Sequence, residues 1–535
     1  MGLSRVALVL ALAGLPLAPA AAAPGASQES AIRGRTDAER QLMALFADDA
    51  RREEQLDPLD QLARGETVDP AALALVFTDT LSRRQLESTR DSLQALGRID
   101  PATLSPERRI SYDAFAWEKR DELERLQPEV RALTDVQPMN HFDGLQTGFP
   151  ALMAAGGSLK YDTEADYRAN LAMQAAIAPV FDQAILRFRE GMARGVVEPR
   201  LTVRNMIGQI DAIVAQPTEE SPFYSPVANF PKTVPDAARA GLRQDYAAML
   251  ATTVLPAYRR LRDFLAKDYL PAARDSVGLG QMKGGAPLYL RYVRQHTTLP
   301  LDPAEIHKLG LTEVARIQRE MQQVEAELGG TGPLRDFFDT IRTDPRYHPK
   351  TREELAEGFA RVARQVDALA PQYFSRMPRT PLVIQPYPAY REKYEAGGSY
   401  NQGSADGKRP GVFFFNAYDL PSRFLTGITT LYLHEAAPGH HFQISLAQED
   451  TSLPDFQRFG GSTAYVEGWA LYAETLGYPM GFYKDPMQHW GTLDDEMLRA
   501  MRLVVDTGIH AMGWSREQAI DYMLANSGMG RTDAT

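Results

Sequence analysis

A proline and a glycine interrupt the most histidine-rich segment of this chain. Residues 431–443 read LYLHEAAPGHHFQ. Three of the nine histidines of the chain lie in this segment: His434, His440 and His441. Proline removes an amide donor and usually bends a helix, while glycine tolerates unusual backbone dihedrals. Because Pro438 and Gly439 separate the first histidine from the other two, we expect a kink or a wide turn here instead of one straight helix.

The adjacent residues His434 and Glu435 indicate metal-dependent hydrolysis. Imidazoles bind divalent metals, and a neighbouring carboxylate activates a water bound by the metal. The common motif H-E-x-x-H places two imidazoles one turn apart on one helix face, but here proline occupies the position of the second histidine. A bend would bring His440 to the face of His434, whereas His441 would return to that face in a straight helix, nearly two turns away. We favour His440 as the second ligand and keep His441 as the alternative.

An acid on a later helix would complete a catalytic metal site, which usually has three protein ligands. Residues 462–477 read STAYVEGWALYAETLG and show helical periodicity. Glu467 and Glu474 lie two turns apart in this segment and therefore on one face. We assign Glu467 as the third ligand. Glu474 is either the alternative ligand or an acceptor that orients a ligating imidazole.

Three segments of the chain together resemble a known family. They are HEAAPGHHFQ, YVEGWALYAE and RLVVDTGIHAMGW. In combination they resemble the bacterial family of unknown function 885 (DUF885), a relative of the glutamate-liganded zinc metallopeptidases (gluzincins), from about residue 37 onward. The resemblance implies one zinc ion per chain, bound by His434, His440 and Glu467, with Glu435 as the general base. The expanded histidine motif is similar to that of dipeptidyl peptidase III, which also lengthens H-E-x-x-H.

The chain departs from that family at its C-terminal end. Relatives continue beyond the segment that resembles AIDYMLANSGM into further helices, whereas this sequence ends at Thr535. A tyrosine or arginine in that missing stretch would contribute to stabilising the transition state. The alternative to a peptidase is therefore a non-catalytic metal-binding or peptide-binding envelope protein.

The third segment carries an Asp–His pair, Asp506 and His510, on one helix. Residues four apart on a helix face the same way. The pair would orient a metal ligand, bind a peptide terminus or stabilise an oxyanion, although the spacing fits a structural pair equally well. The family resemblance favours function, and we predict that His510 is a catalytic residue.

The N-terminal residues 1–23 have the features of a secretory signal peptide. They contain one arginine, an apolar run and small residues before a cleavage position near Ala22. The apolar run is shorter than the ~20 residues that span a bilayer. The chain has no cysteine, which excludes disulfides and a lipid-modified cysteine. We expect a periplasmic or secreted protein, with residues 24–36 as a linker.

Helical periodicity dominates residues 37–375 and predicts a mainly α-helical lobe. After Thr380, the segments TPLVIQPYP and Gly411–Asn416 read as short strands, and PLYLRYV is a further possible strand. We predict a large helical, zincin-like peptidase architecture with a small β-sheet beside the metal-binding helix and a catalytic lobe at 376–535. The strand Gly411–Asn416 is our candidate edge for pairing with a peptide substrate, although VFFF fits a buried strand equally well.

Composition and missing motifs exclude other classes of function. The net charge of −11, without a basic stripe, argues against nucleic acid as a partner. The sequence contains no G-x-S-x-G nucleophile elbow, which argues against a serine esterase or amidase. The sequence therefore favours hydrolysis of a peptide or related amide by a zinc-activated water.

Overall fold

The computed structural model describes residues 26–142, 144–388 and 392–535. The predicted signal peptide lies outside these residues. The described chain is mainly α-helical and contains a three-stranded sheet, which confirms the predicted fold class. Among the described residues, no helix is both long enough and apolar enough to cross a membrane.

The first part of the fold consists only of helices. They are α1 (Ala26–Leu56), α2 (Pro58–Ala63), α3 (Pro70–Leu73), α4 (Asp79–Leu96), α5 (Pro106–Arg125), α6 (Pro128–Thr134), α7 (Leu145–Met153), α8 (Glu164–Ala175), α9 (Ile177–Arg194), α10 (Arg200–Val214), α11 (Ser225–Ala228), α12 (Asp236–Met249), α13 (Leu255–Phe264) and α14 (Leu270–Ala272). Two π-helical segments, Leu250–Val254 and Leu265–Tyr269, join α12, α13 and α14 into one continuous helix.

Helix α1 begins at Ala26, so most of the stretch predicted as a linker is helical. The reason is local, because this stretch contains two alanines, two arginines, one glutamine and one glutamate, all of which are strong helix formers. Other helices begin where a capping side chain precedes proline. Asp57 and Ser105 accept hydrogen bonds from the backbone amides of Asp60 and Arg108, which satisfies amides that have no partner within the helix.

The remaining elements form the part of the fold that contains the three motif segments of the sequence. They are α15 (Gly285–Thr297), α16 (Pro303–Glu327), α17 (Leu334–Thr343), α18 (Arg352–Tyr373), β1 (Leu382–Pro386), β2 (Gly398–Asn401), β3 (Gly411–Phe415), α19 (Ile428–Glu435), α20 (His440–Glu449), α21 (Asp455–Phe459), α22 (Thr463–Thr475), α23 (Pro486–His510), α24 (Arg516–Asn526) and α25 (Arg531–Ala534).

The segment PLYLRYV lies in helix α15, so its prediction as a possible strand is wrong. Tyr289 and Val293, four residues apart, are both buried, as expected for one side of a helix. A short apolar run satisfies both the strand period and the helix period, and tertiary packing decides between them.

The three strands are ordered β1-β3-β2, with β3 in the centre. Strand β1 pairs parallel to β3, and β2 pairs antiparallel to it. The prediction that Gly411–Asn416 forms an exposed edge is therefore wrong, and its alternative, a buried strand, is right. The rings of Phe413 and Phe415 both pack against Phe359 of α18, at 5.1 Å between centroids. The free edges of the sheet belong to β1 and β2.

Helices α16 and α23 pack along each other and share a core with α17. Met321 of α16 and the α23 residues Trp490 and Met497 are fully buried in it. This core crosses the boundary that we predict near residue 375, so helices from both predicted lobes hold α23 in place. Helix α23 also packs against α19, which connects this core to the histidine segment.

Candidate metal centre

The bend expected in the histidine segment is present. Helix α19 ends at Glu435 and α20 begins at His440. At Gly439 a Cβ atom would lie 1.8 Å from the carbonyl oxygen of His434, so any side chain at this position would force the two helices apart. On the other side of the turn, the indole Nε1 of Trp469 donates a hydrogen bond to the carbonyl of Pro438, at 2.8 Å. The turn is therefore tied to helix α22.

The turn brings the three predicted ligands together. Nε2 of His434 lies 3.5 Å from Oε2 of Glu467, and Nε2 of His440 lies 3.7 Å from Oε1 of the same carboxylate. The two imidazole rings are nearly perpendicular, with 4.7 Å between their centroids. One possible ligand atom from each of the three residues lies within 4.8 Å of the other two. Residues from α19, α20 and α22 thus converge on one point.

The donor set of this cluster fits a zinc ion. Two imidazole nitrogens and one carboxylate oxygen match catalytic zinc sites that have three protein ligands and an open position. In a tetrahedral site with bonds of about 2.0–2.1 Å, ligand atoms lie roughly 3.3–3.4 Å apart, and the distances of 3.5 and 3.7 Å are close to this spacing. The side chain of Glu467 is 52% exposed, so an ion would reach the cluster from solvent.

Glu474 orients the first imidazole. Nδ1 of His434 lies 2.7 Å from Oε1 of Glu474, so it donates to the carboxylate and leaves Nε2 directed at the cluster. Of the two roles considered for Glu474, the structure favours this one over that of a ligand. Burial alone would lower the pKa of His434, but the hydrogen bonds with Glu467 and Glu474 outweigh burial and raise it to about 9.

Glu435 is buried beside the cluster and has no hydrogen bond or ion pair with any residue that the structure describes. Burial raises the pKa of its carboxyl to about 7. The charge of His434 opposes this shift, whereas that of Glu467 reinforces it. A buried carboxyl without a protein partner is free to exchange a proton with a molecule in the site.

The two remaining histidine candidates of the motif differ in their surroundings. Burial lowers the pKa of His440 to about 4, which keeps its imidazole neutral and suited to metal binding. His441 lies elsewhere, with its Nδ1 at 3.1 Å from the hydroxyl of Tyr400 and 3.4 Å from that of Ser445. The structure therefore brings His440, and not the alternative His441, into the cluster.

The structure does not bring His510, predicted as catalytic, to the cluster. Its Nδ1 accepts a hydrogen bond from the backbone amide of Leu279 at 3.1 Å, and its ring stacks on Tyr289 with 5.4 Å between centroids. Oδ2 of Asp506 lies 4.0 Å from its Nε2. These contacts are those of a structural pair, the alternative that the spacing of Asp506 and His510 fits equally well. They give no support to a catalytic role of His510.

Two further residues, Asp495 and Arg499 of α23, lie behind the cluster. The sequence alone assigns them no role. Nη2 of Arg499 lies 3.9 Å from Oε1 of Glu474. Burial, reinforced by the charge of Glu474, raises the pKa of Asp495. Asp495, Arg499 and Arg502 recur at steps of three and four, so the sequence does place them on one side of a helix. It does not show that this side faces His434.

A cavity of about 260 Å³ lies between the end of β2 and helices α20, α21 and α22. Gln443 on α20 and Val466 on α22, which directly precedes Glu467, line it. Oε1 of Gln443 is buried without a hydrogen-bond partner in the described chain. Helices α20 and α22, which carry His440 and Glu467, therefore also line a space that can hold part of a bound molecule.

The fold and this cluster define a helical protein with a His–His–Glu site on helices α19, α20 and α22. The sequence model of the family described as "Bacterial protein of unknown function (DUF885)" matches residues 58–535. The chain belongs to this family, as the resemblance of its three segments predicted.

Two solved structures share the fold. A candidate lipoprotein from Colwellia psychrerythraea is 24% identical, with a TM-score of 0.81, over 93% of this chain and 88% of that one. A candidate lipoprotein of unknown function from Shewanella oneidensis is 18% identical, with a TM-score of 0.64 and the same two coverages. No curated protein gives a significant match. The two likenesses establish the fold.

Proposed function

We propose that this protein is a zinc-dependent hydrolase of peptide or related amide bonds. His434, His440 and Glu467 would hold the ion, and Glu435 would act as the general base. The observation that carries the proposal is the placement of Glu435 directly beside the three converging candidate ligands. Glu435 is a buried carboxyl that has no partner in the part of the chain that the structure describes. A site that only stored a metal ion would have no need of such a carboxyl.

Zinc bound at this site would supply a Lewis acid that polarises the scissile carbonyl and acidifies the attacking water. Glu435 takes the proton from that water and passes it to the leaving amine. Glu474 fixes the tautomer of His434 through Nδ1. Arg499, 3.9 Å from Glu474, partly balances the buried negative charge behind the imidazole.

We also propose that the protein works outside the cytoplasm. Residues 1–23 have the pattern of a secretory signal, and both structural neighbours are described as candidate lipoproteins. A zinc peptidase in a periplasm or a culture medium would act on peptides that reach that compartment.

A Glu435→Gln variant separates metal binding from catalysis. Glutamine keeps the size of the side chain but accepts no proton, so turnover should fall at least a hundredfold, the lower range for general base catalysis. Zinc content should not change, because Glu435 is not one of the ligands. Hydrolysis of a peptide library, measured with and without a chelator, and metal analysis of the same samples provide the two readouts.

The matched control is Glu449→Gln, which alters an acid on α20 that binds Arg379 and Thr380 instead of the cluster. This variant should keep both zinc and turnover. Loss of zinc from Glu435→Gln would make Glu435 a ligand and contradict the assignment. Zinc binding without chelator-sensitive hydrolysis of any peptide would favour the non-catalytic envelope protein.

A further inference from the structure

Arg502 is an unpaired cation beside the candidate metal centre. It follows Arg499 by one helical turn on α23, and its side chain is exposed. Across residues 26–142, 144–388 and 392–535, its guanidinium has no hydrogen bond or ion pair. A guanidinium carries five donors in a planar fork, so Arg502 presents a full set of donors to a molecule that enters from solvent.

The two acids near Arg502 contact other residues. Asp506, one turn further along α23, accepts a hydrogen bond from the hydroxyl of Tyr289 at 2.6 Å and faces His510. Glu467 is directed at His434 and His440. The carboxylates of the protein therefore compensate only part of the positive charge of the guanidinium.

Arginine binds carboxylates through two parallel hydrogen bonds, a geometry that lysine cannot reproduce. Arg502 follows Arg499 by one turn of α23, a rise of about 5 Å, and Arg499 lies 3.9 Å from Glu474, the acid that orients His434. The guanidinium of Arg502 thus lies within roughly 10 Å of the cluster. Two or three extended residues span that distance, at ~3.3–3.6 Å each. A carboxylate held by Arg502 would thus lie no more than about three residues from a bond at the metal centre.

We propose that Arg502 binds the C-terminal carboxylate of the substrate, so that the enzyme releases one to three residues from the carboxyl end of peptides. This inference rests on the proposed peptide hydrolysis. It assigns the protein to the carboxyl-directed exopeptidases and makes Arg502 the residue that determines this specificity.

The test compares two peptides of the same sequence, one with a free C-terminal carboxylate and one with a carboxamide. The wild type should cleave the free acid and release fragments of one to three residues, identified by mass spectrometry. Arg502→Gln should raise KM for the acid about 10- to 100-fold, the loss expected for hydrogen bonds between charged groups. It should leave kcat for the acid and both constants for the amide unchanged, and Arg502→Lys should recover part of the loss.

The matched control is Arg319→Gln on the adjoining helix α16, which removes an exposed arginine that forms no ion pair with any described residue. This variant should behave as the wild type. Equal KM values for acid and amide in the wild type would overturn the proposal. So would an equal fall in kcat for both peptides in Arg502→Gln, because that result would place Arg502 at the oxyanion instead.

A binding measurement keeps this inference separate from the proposed function. Calorimetry of the Glu435→Gln protein with each intact peptide should show tighter binding of the acid, and Arg502→Gln in that background should remove the difference. If no peptide is hydrolysed, the proposed function fails, yet the difference in affinity between acid and amide still decides the role of Arg502. No difference would overturn it.

Discussion

Gly439 is the residue on which the geometry of the cluster depends most directly. A Cβ atom here would meet the carbonyl oxygens of His434 and Leu433 at 1.8 and 2.3 Å, distances that no packing adjustment of side chains would relieve. Gly439→Ala should therefore displace His440 and weaken zinc binding more than tenfold, while the rest of the fold survives. Zinc titration and a thermal melt of the same variant check this prediction.

Gly208→Ala is its control, because nothing lies within 4 Å of a Cβ at that helical position. This substitution should leave zinc affinity unchanged and slightly raise the melting temperature. Zinc affinity of Gly439→Ala equal to that of the wild type would show that the turn does not set the position of His440.

The protonation of His434 should make the proposed zinc binding dependent on pH. In the metal-free protein the pKa of His434 is about 9, since the hydrogen bonds with Glu467 and Glu474 outweigh burial. Zinc must displace this proton before it binds. The apparent affinity should therefore fall about tenfold for each pH unit below about 9 and level off above it, as measured by competition with a chelator of known affinity.

Glu474→Gln tests the cause of this pH dependence. The variant loses one of the two acids that hold the proton on His434, so the pKa of the imidazole should fall and the loss of affinity should begin at a lower pH. An affinity that stays constant between about pH 7 and pH 9 in the wild type would mean that His434 is already neutral there.

At the scale of single elements, a hydrogen bond from Trp469 of helix α22 fixes that helix to the turn between α19 and α20. Trp469→Phe keeps an aromatic ring but removes the bond from Nε1 to the carbonyl of Pro438. A neutral hydrogen bond contributes about 1 kcal/mol, so zinc affinity should fall about fivefold as Glu467 loses its fixed position. Tyr472→Phe, an exposed change on the same helix, should have no effect. Equal affinities in the two variants would assign the positioning of α22 to other contacts.

How far the sequence predicts each element depends on whether its signal is local. The convergence of His434, His440 and Glu467 could be predicted because residue type, Pro438 and the periodicity of α22 are local features. Strand β3 could be predicted as a strand but not as the central one, since its neighbours come from distant segments. The same limit applies to His510, whose partner Leu279 lies 231 residues earlier in the chain.

At the scale of the whole molecule, α23 connects the core to the site. Trp490 and Met497 anchor it against α16 and α17, and Arg499 of the same helix reaches Glu474. Periodicity predicts these two faces of α23, but only the packing of the complete chain shows that one of them lies behind His434. The site therefore rests on a helix that is fixed by the core, as catalytic groups require for precise placement.

The central claim is that His434, His440 and Glu467 bind one zinc ion, and the metal content of the purified protein tests it most directly. The wild type and His441→Ala, which alters a buried histidine outside the cluster, should each carry about one zinc per chain after supplementation. His434→Ala, correctly folded by circular dichroism, should carry almost none. Equal zinc in all three proteins, or no zinc in a folded wild type, would contradict the account.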